Sequence, residues 1–188
     1  AAVANSFLVA IAATATAMLL GWPVARLLSR SHHRAIGIGL LTITLLIPQA
    51  AIGTGLATTF LRLHLAGSLA GLTIAHLIQV LPYVTIALTA GCTPQLTQNE
   101  EAAETLGVTG WARFRLVTLP AMAPAGLVAA ALGFTVSWSQ YGSSLVVGAG
   151  TPMLPLTMVP YLRTDPQIGA TLTLLFLAPP AIAALLAT

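Results

Sequence analysis

The sequence contains no lysine, and among its 188 residues only 7 are arginine and 4 are acidic. Charged side chains make up 6% of the chain, against about 25% in soluble domains. So few charges cannot clothe the water-facing surface of one or two domains of this length, which excludes a soluble globular protein. The single cysteine, Cys92, excludes an internal disulfide and a cysteine-built zinc cluster. A Walker-type phosphate loop, an HExxH pair and a CxxC pair are also missing. Ser137, Ser139, Ser143 and Ser144 have no His–Asp partnership near them in the sequence. No catalytic constellation emerges, so the chain is read as a non-enzyme with no metal site and no cofactor of its own. The net charge of +3 comes from arginines scattered among apolar stretches. That scatter points to membrane topology, with lipid and not nucleic acid as the surrounding partner.

What is present is apolar: 57% of residues are hydrophobic and the mean hydropathy is +0.93. The chain divides into stretches near the ~20 residues that cross a bilayer. The expected fold class is an all-α membrane protein, one unit over 1–188. Its five transmembrane helices are expected at about 7–28, 36–60, 69–90, 122–147 and 168–187. The chain opens AAVANS without methionine, as expected of a processed, truncated or excised piece. Its first 28 residues are too long and wrongly flanked for a signal peptide. Gly21-Trp22-Pro23 interrupts the first span and predicts a kink there. Pro48-Gln49 sits at the middle of the second, where a polar Gln49 should face protein or a water-filled path. In the third span His76, Gln79 and Tyr83 lie three and four apart, on one helix face. That face is read either as packed interior or as part of a translocation path. Trp138 and Tyr141 suit a membrane interface. Segment 151–167 holds four prolines and is too broken for a span yet too apolar for a wet loop. It is expected to be a re-entrant or surface-lying external segment.

Charge then gives direction. Helices alternate, so Arg26, Arg30, Arg34, Arg113 and Arg115 fall on one side, and Arg62 and Arg163 on the other. The arginine-rich side marks the cytoplasm, which places the N-terminus outside and the C-terminus inside. Asn99 to Pro120 is the charged island of the chain and holds Glu100, Glu101 and Glu104. Thr93-Pro94 reads as an N-cap followed by proline at the first helical position. Thr97 to Glu100 offers a second start with capping-box spacing. Gly107 ends or bends the helix. A second short helix is expected from Trp111 to Val117, with Pro120 at the entry to span 4. The region 94–117 is then a helix, glycine turn and helix on the cytoplasmic side, either a partner-docking protrusion or a solvated amphipathic loop.

In this region the chain resembles the transmembrane permease subunits of bacterial ABC importers, the binding-protein-dependent transport family. The matching elements are Glu101-Ala102-Ala103, Gly107 and Leu119-Pro120, with Phe114 and Val117 at intervening apolar positions. Asn5-Ser6, the stretch Gly21 to Arg26, and TPMLPL at 151–156 extend the similarity over nearly the whole chain. The resemblance implies that 94–117 forms a coupling helix and its return, docked in a cytoplasmic ATPase. The expected ATPase-coupling residues are Glu100, Glu101, Ala102, Ala103, Gly107, Trp111 and Phe114. Among them Glu101, Ala102 and Ala103 would seat the helix, Gly107 would turn the chain, and Trp111 and Phe114 would brace it against the spans. The implied partners are a cytoplasmic ABC ATPase dimer that binds ATP and Mg, a second permease half (identical, homologous or fused) and an external solute-binding protein. The implied location is the bacterial inner membrane. The sequence departs from the family where relatives carry Pro-Gly at Pro124-Ala125, and where an acid often stands at Gln140. Gln140 thereby joins Gln49, His76, Gln79 and Tyr83 as a translocation-path candidate. The overall likeness is to permeases for iron, thiamine, sulfate and polyamines, and it names no single cargo.

Two other classes of membrane protein fit the composition less well. An ion-driven secondary transporter or channel would want a coupling acid within its spans, and every acid here lies in the island or at Asp165. A structural membrane scaffold gives no reason for the coupling signature.

Overall fold

The computed structural model describes residues 1–186, with the side chains at 49, 50, 184 and 186 outside the described set. The expected end of the last span at Ala187 also lies outside the described residues. The described residues form an all-helical chain: α1 (Ala2–Arg30), α2 (Arg34–Leu45), α3 (Gln49–Arg62), α4 (Leu69–Gly91), α5 (Pro94–Thr105), α6 (Gly110–Arg113), a π turn (Phe114–Thr118), α7 (Leu119–Trp138), α8 (Gly142–Val147), α9 (Leu154–Thr164) and α10 (Pro166–Leu186).

Among the described residues, four helical stretches are long and apolar enough to cross a membrane: Ala2–Arg30, Leu69–Gly91, Gly110–Trp138 and Pro166–Ala183. The second expected span, 36–60, is not one continuous helix. It is α2 and α3, of 12 and 14 residues, each shorter than the ~20 residues a crossing needs at 1.5 Å per residue. The break follows from Pro48, which supplies no N–H and disfavours helical backbone at Ile47. The pair nonetheless runs from one end of the molecule to the other. At the start of α2, Arg34 donates to the Thr89 carbonyl near the end of α4 (3.4 Å). Beyond α3, the Gly67 amide donates to the Val147 carbonyl (3.0 Å) and Thr151 donates to the Gly67 carbonyl (2.6 Å).

The bundle is organised on α1, α4 and α7. Ala17, Ala25, Val80, Val84, Leu88, Met122 and Ala129 are buried in one cluster between them. Small side chains let the helix backbones approach, the means of helix association open to a chain with lipid around it. Gly133 marks the limit of that approach: a Cβ there would stand 2.8 Å from Val84 Cγ2 and 3.0 Å from Thr14 Cγ2. Helix α1 continues through Pro23 to Arg30.

The second short helix expected from Trp111 to Val117, separate from span 4, is corrected by the structure. From Gly110 onward the chain is a single helical run to Trp138 with a π turn inside it. At the end of that turn the Leu119 amide bonds to the Phe114 carbonyl, the wider i→i+5 spacing of a π turn. Pro120 follows directly as the second residue of α7, and, having no N–H, it cannot continue the i→i−4 ladder back into the turn. The run stops at Trp138, and 142–147 is the separate helix α8, so the expected fourth span of 122–147 is shifted towards the N-terminus.

Trp138 is also placed differently from a membrane-interface side chain. It is buried, stacked on Phe134 and Phe176, and its indole N–H donates to the Phe176 carbonyl (2.9 Å). The cause lies in Pro179-Pro180 within α10. Pro180 has no N–H for the carbonyl four residues earlier, and the indole takes its place. Segment 151–167 becomes α9 followed by the start of α10. Met153, Leu154 and Pro155 are buried, and the Asp165 carboxylate accepts from the amides of Gln167 and Ile168 (both 3.1 Å) as a helix cap.

Candidate functional site: the α5 protrusion and the polar core of the bundle

Helix α5 begins as its sequence dictates. Thr93 caps it by accepting from the Leu96 amide (3.3 Å), and Pro94 takes the first helical position. It ends in a Schellman motif: the Gly107 amide bonds to the Glu104 carbonyl (2.9 Å) and the Val108 amide to the Ala103 carbonyl (3.0 Å). Gly107 adopts φ +77°, a left-handed conformation that costs other residues about 1–2 kcal/mol.

The helix has two faces of different character. Leu96, Glu100 and Ala103, at i, i+4 and i+7, are buried against the bundle. Glu101, Ala102, Thr105, Leu106 and Gly107 are exposed, Leu106 by 82%. Glu100 is the tie. Its carboxylate accepts two hydrogen bonds from the Arg26 guanidinium (2.9 and 2.6 Å) and one from the Thr118 hydroxyl (2.5 Å). Arg30 stands 3.6 Å away. One side chain therefore binds α5 to the end of α1 and to the π turn that opens α7. Burial works to raise the Glu100 pKa, but the hydrogen bonds from Arg26 and Thr118 and the charges of Arg26 and Arg30 outweigh it, holding the carboxyl below its ordinary value. Glu104 pairs with Arg113 across the glycine turn. Phe114 packs edge-to-face on Trp22 of α1 (5.8 Å, 82°), while Trp111 stacks on Phe114 (5.6 Å, 25°) and is itself 73% exposed.

The seven residues expected to couple to an ATPase thus divide. Glu100, Ala103 and Phe114 face the bundle, and Glu101, Ala102, Gly107 and Trp111 face outward. Phe114 carries the brace on α1, with Trp111 attached to it from outside. A cleft of about 570 Å³ lies between α5, α6 and the end of α1, walled by Arg26, Arg30, Arg113 and the three glutamates.

Within the bundle, His76 and Gln140 are fully buried and Gln79 nearly so. His76 Nδ1 lies 2.9 Å from Ser137 Oγ, and His76 Nε2 lies 2.9 Å from Ser144 Oγ. The Ser144 hydroxyl donates its proton to the Gln140 carbonyl (2.7 Å), so it accepts from His76. That assigns the proton to Nε2 and makes Nδ1 the acceptor for Ser137. Gln140 Nε2 donates to Gln79 Oε1, and Ser143 donates to Gln140 Oε1 (3.1 Å). The network joins α4, the end of α7 and α8. It has no carboxylate, so its serines and histidine make no charge-relay set. Tyr83 is half-buried, and the side chain of Gln49 lies outside the described residues. At the opposite end of the bundle from α5, the Asn5 amide donates to the Pro152 carbonyl (3.0 Å), and Ser6 Oγ accepts from the Leu154 amide (2.8 Å). The two matching stretches at 5–6 and 151–156 are thereby in contact.

No protein-family model matches the chain. Comparison with curated proteins finds permeases. The molybdenum transport system permease protein ModB of Mycobacterium tuberculosis is 29% identical over 194 residues, covering 94% of this chain and 74% of the relative. A putative ABC transporter permease protein of Streptomyces antibioticus is 28% identical over 185 residues, 88% of this chain and 81% of the relative. The spermidine/putrescine transport system permease protein PotC of Haemophilus influenzae is 28% identical over 177 residues, 91% and 68% respectively. The chain is a homologue of ABC transporter permease subunits. It serves as a permease subunit of an ATP-driven importer, non-catalytic itself and threaded several times through a membrane.

Several residues of the site carry no local sequence signal. Arg26, Arg30 and Thr118, which hold Glu100, lie 74, 70 and 18 positions from it. The serines at 137, 143 and 144 have no His–Asp partner near them in the sequence, yet two of them bond His76. The available signal was the i, i+4 and i+7 spacing of Leu96, Glu100 and Ala103, which marks Glu100 as inward. Composition alone suggests the reverse for a glutamate.

Proposed function

We propose that this permease forms one half of a translocation path and that α5 is its coupling helix, set in a groove of a cytoplasmic ABC ATPase. Glu101, Ala102, Leu106, Gly107 and Trp111 make the contact. Glu100, Ala103 and Phe114 pass the displacement inward, Glu100 to α1 and the π turn and Phe114 to α1. The single observation behind this reading is the division of one short helix. An exposed apolar and acidic face lies outward, and a carboxylate bound by donors from two other elements lies inward. A rigid element tied to two spanning helices carries a coupling free energy between sites, where a loose loop would dissipate it.

In this reading α2 and α3 together make a broken crossing, giving five crossings in all. The excess of arginine at the α5 end sets that end in the cytoplasm, with the N-terminus and α9 outside. The partners are an ATPase dimer carrying ATP and Mg, a second permease half and an external solute-binding protein. The relatives are named for cargoes as different as molybdenum and spermidine/putrescine, so cargo is decided by the residues of the passage and by the binding protein.

Affinity capture of the permease from detergent-solubilised membranes tests the dock. Glu101→Arg and Trp111→Glu should each lose the co-purifying ATPase while leaving thermal stability within about 0.5 kcal/mol, as for exposed positions. Retention of the ATPase by both variants, or uptake that persists without ATP under an ion gradient, refutes the reading.

A further inference from the structure

Two hollows meet at the aromatic pair that braces the start of α7 on α1. The first is the charged cleft of about 570 Å³ between α5, α6 and the end of α1. The second is an apolar groove of about 360 Å³ between α1 and α7, and Trp22 and Phe114 line both. In the groove α1 supplies Met18, and α7 supplies Leu119, Ala123 and Gly126. No charged side chain lines it. Leu19 and Leu119 at its edges are exposed, so its mouth opens outward from the bundle, towards lipid. Leu119 to Gly126 is a rise of about 10 Å along the helix, inside the ~15 Å that one leaflet of hydrocarbon provides. A groove of that length and direction takes an acyl chain. Trp22 stands at its charged end, where indole rings mark the headgroup level.

The cleft beyond it is balanced in charge: Arg26, Arg30 and Arg113 face Glu100, Glu101 and Glu104. Arg26 and Glu100 are bound to each other, but other groups keep capacity to spare. The Arg30 guanidinium is exposed, stands 3.6 Å from Glu100 and makes no hydrogen bond among the described residues. Its planar fork of N–H donors suits a phosphate. Glu104 is exposed and accepts from Arg113 alone, which leaves carboxylate lone pairs for an ammonium. A purely anionic head would set its charge against three carboxylates, and a quaternary amine would offer Glu104 no N–H.

We propose that this double hollow binds one phosphatidylethanolamine of the bilayer. An acyl chain lies in the α1–α7 groove, the phosphate on Arg30 and the ammonium on Glu104. The lipid then joins α1, α5 and the start of α7 at the membrane surface. The inference goes beyond the coupling reading and needs only lipid around α1 and α7. ATPase capture therefore tests the one, and lipid retention the other.

The test uses the permease complex purified in mild detergent, stripped of its native lipid and offered a single lipid at a time. The probes are phosphatidylethanolamine, phosphatidylcholine and phosphatidylglycerol, all with dioleoyl chains, and native mass spectrometry counts what is retained. The ethanolamine lipid should be held about fivefold better than either of the others, the upper range for an exposed ion pair. Arg30→Ala and Glu104→Gln should each remove that preference. Both positions are exposed, so the complex still folds. Gly126→Leu fills the groove and should lower retention of all three lipids. Arg115→Ala removes an exposed arginine that does not line the cleft and should change nothing. Equal retention of phosphatidylcholine, a preference for phosphatidylglycerol, or an unchanged preference in Arg30→Ala or Glu104→Gln overturns the proposal. So does an equal loss in Arg115→Ala, because the attraction would then be one of general charge.

Discussion

Glu100→Gln isolates the joint on which the coupling scheme depends. The substitution keeps the size of the side chain and one acceptor oxygen but removes the charge. In the native arrangement the carboxylate takes two hydrogen bonds from Arg26 and one from Thr118, with Arg30 at 3.6 Å. Hydrogen bonds to charged groups contribute about 1.5–3 kcal/mol each, but the amide retains part of them. Removing one partner of a fully buried pair costs about 3–5 kcal/mol. The Arg26 side chain is 21% exposed and that of Arg30 is 64% exposed, so solvent screening lowers the figure, and Arg30 adds little. A loss of about 2–3 kcal/mol is expected, roughly 30- to 150-fold in the local equilibrium. Thermal unfolding of the purified permease measures the stability. A double-mutant cycle with Arg26→Gln should then show a coupling energy above about 1 kcal/mol. Function supplies the second readout: in the reconstituted complex ATP hydrolysis should continue while cargo moved per ATP falls. Additive single substitutions, or an unchanged transport-to-hydrolysis ratio, would refute the assignment of Glu100 as the joint.

Other consequences can be measured directly. The Glu100 carboxyl is held below its ordinary pKa, so its clamp is fully present above the unfolded carboxylate value of about 4.5 and is lost as pH falls through the lower folded value. Acid titration of stability should show that loss in the wild type and not in Glu100→Gln. Gly107→Ala should destabilise the α5 turn by about 1 kcal/mol through its positive φ, read as weaker amide-exchange protection at Val108. Trp138→Phe keeps the ring stack but strips the Phe176 carbonyl of its donor, and a loss of about 1–3 kcal/mol in unfolding is expected. Gly133→Leu drives a side chain into Val84 and Thr14. It should lower stability by at least 1–3 kcal/mol, whereas Gly110→Ala, in open space, should not.

Much of this permease is written in local chemistry. Scarcity of charge forces the chain into helices that satisfy their own backbone in lipid, and Pro48 divides the expected second span into α2 and α3 without help from any distant residue. Thr93-Pro94 and Gly107 set both ends of α5 through capping geometry that involves only near neighbours. The all-α membrane class, the charged helix α5 and its glycine turn are therefore legible from residues alone, whereas the expected five continuous spans are not what the structure shows. The direction of side chains was not. Glu100 and Glu101 are adjacent and chemically alike, but helical rotation turns one to Arg26 and the other to solvent. The same holds for Trp138, whose place is decided by a carbonyl freed by Pro180 across the bundle. The serines around His76 become partners only when α4 meets α7 and α8. Apolar periodicity dictates which stretches become helices, because that choice is local. Pairing of polar groups 60 to 75 residues apart depends on how the helices pack, and only the tertiary structure decides it.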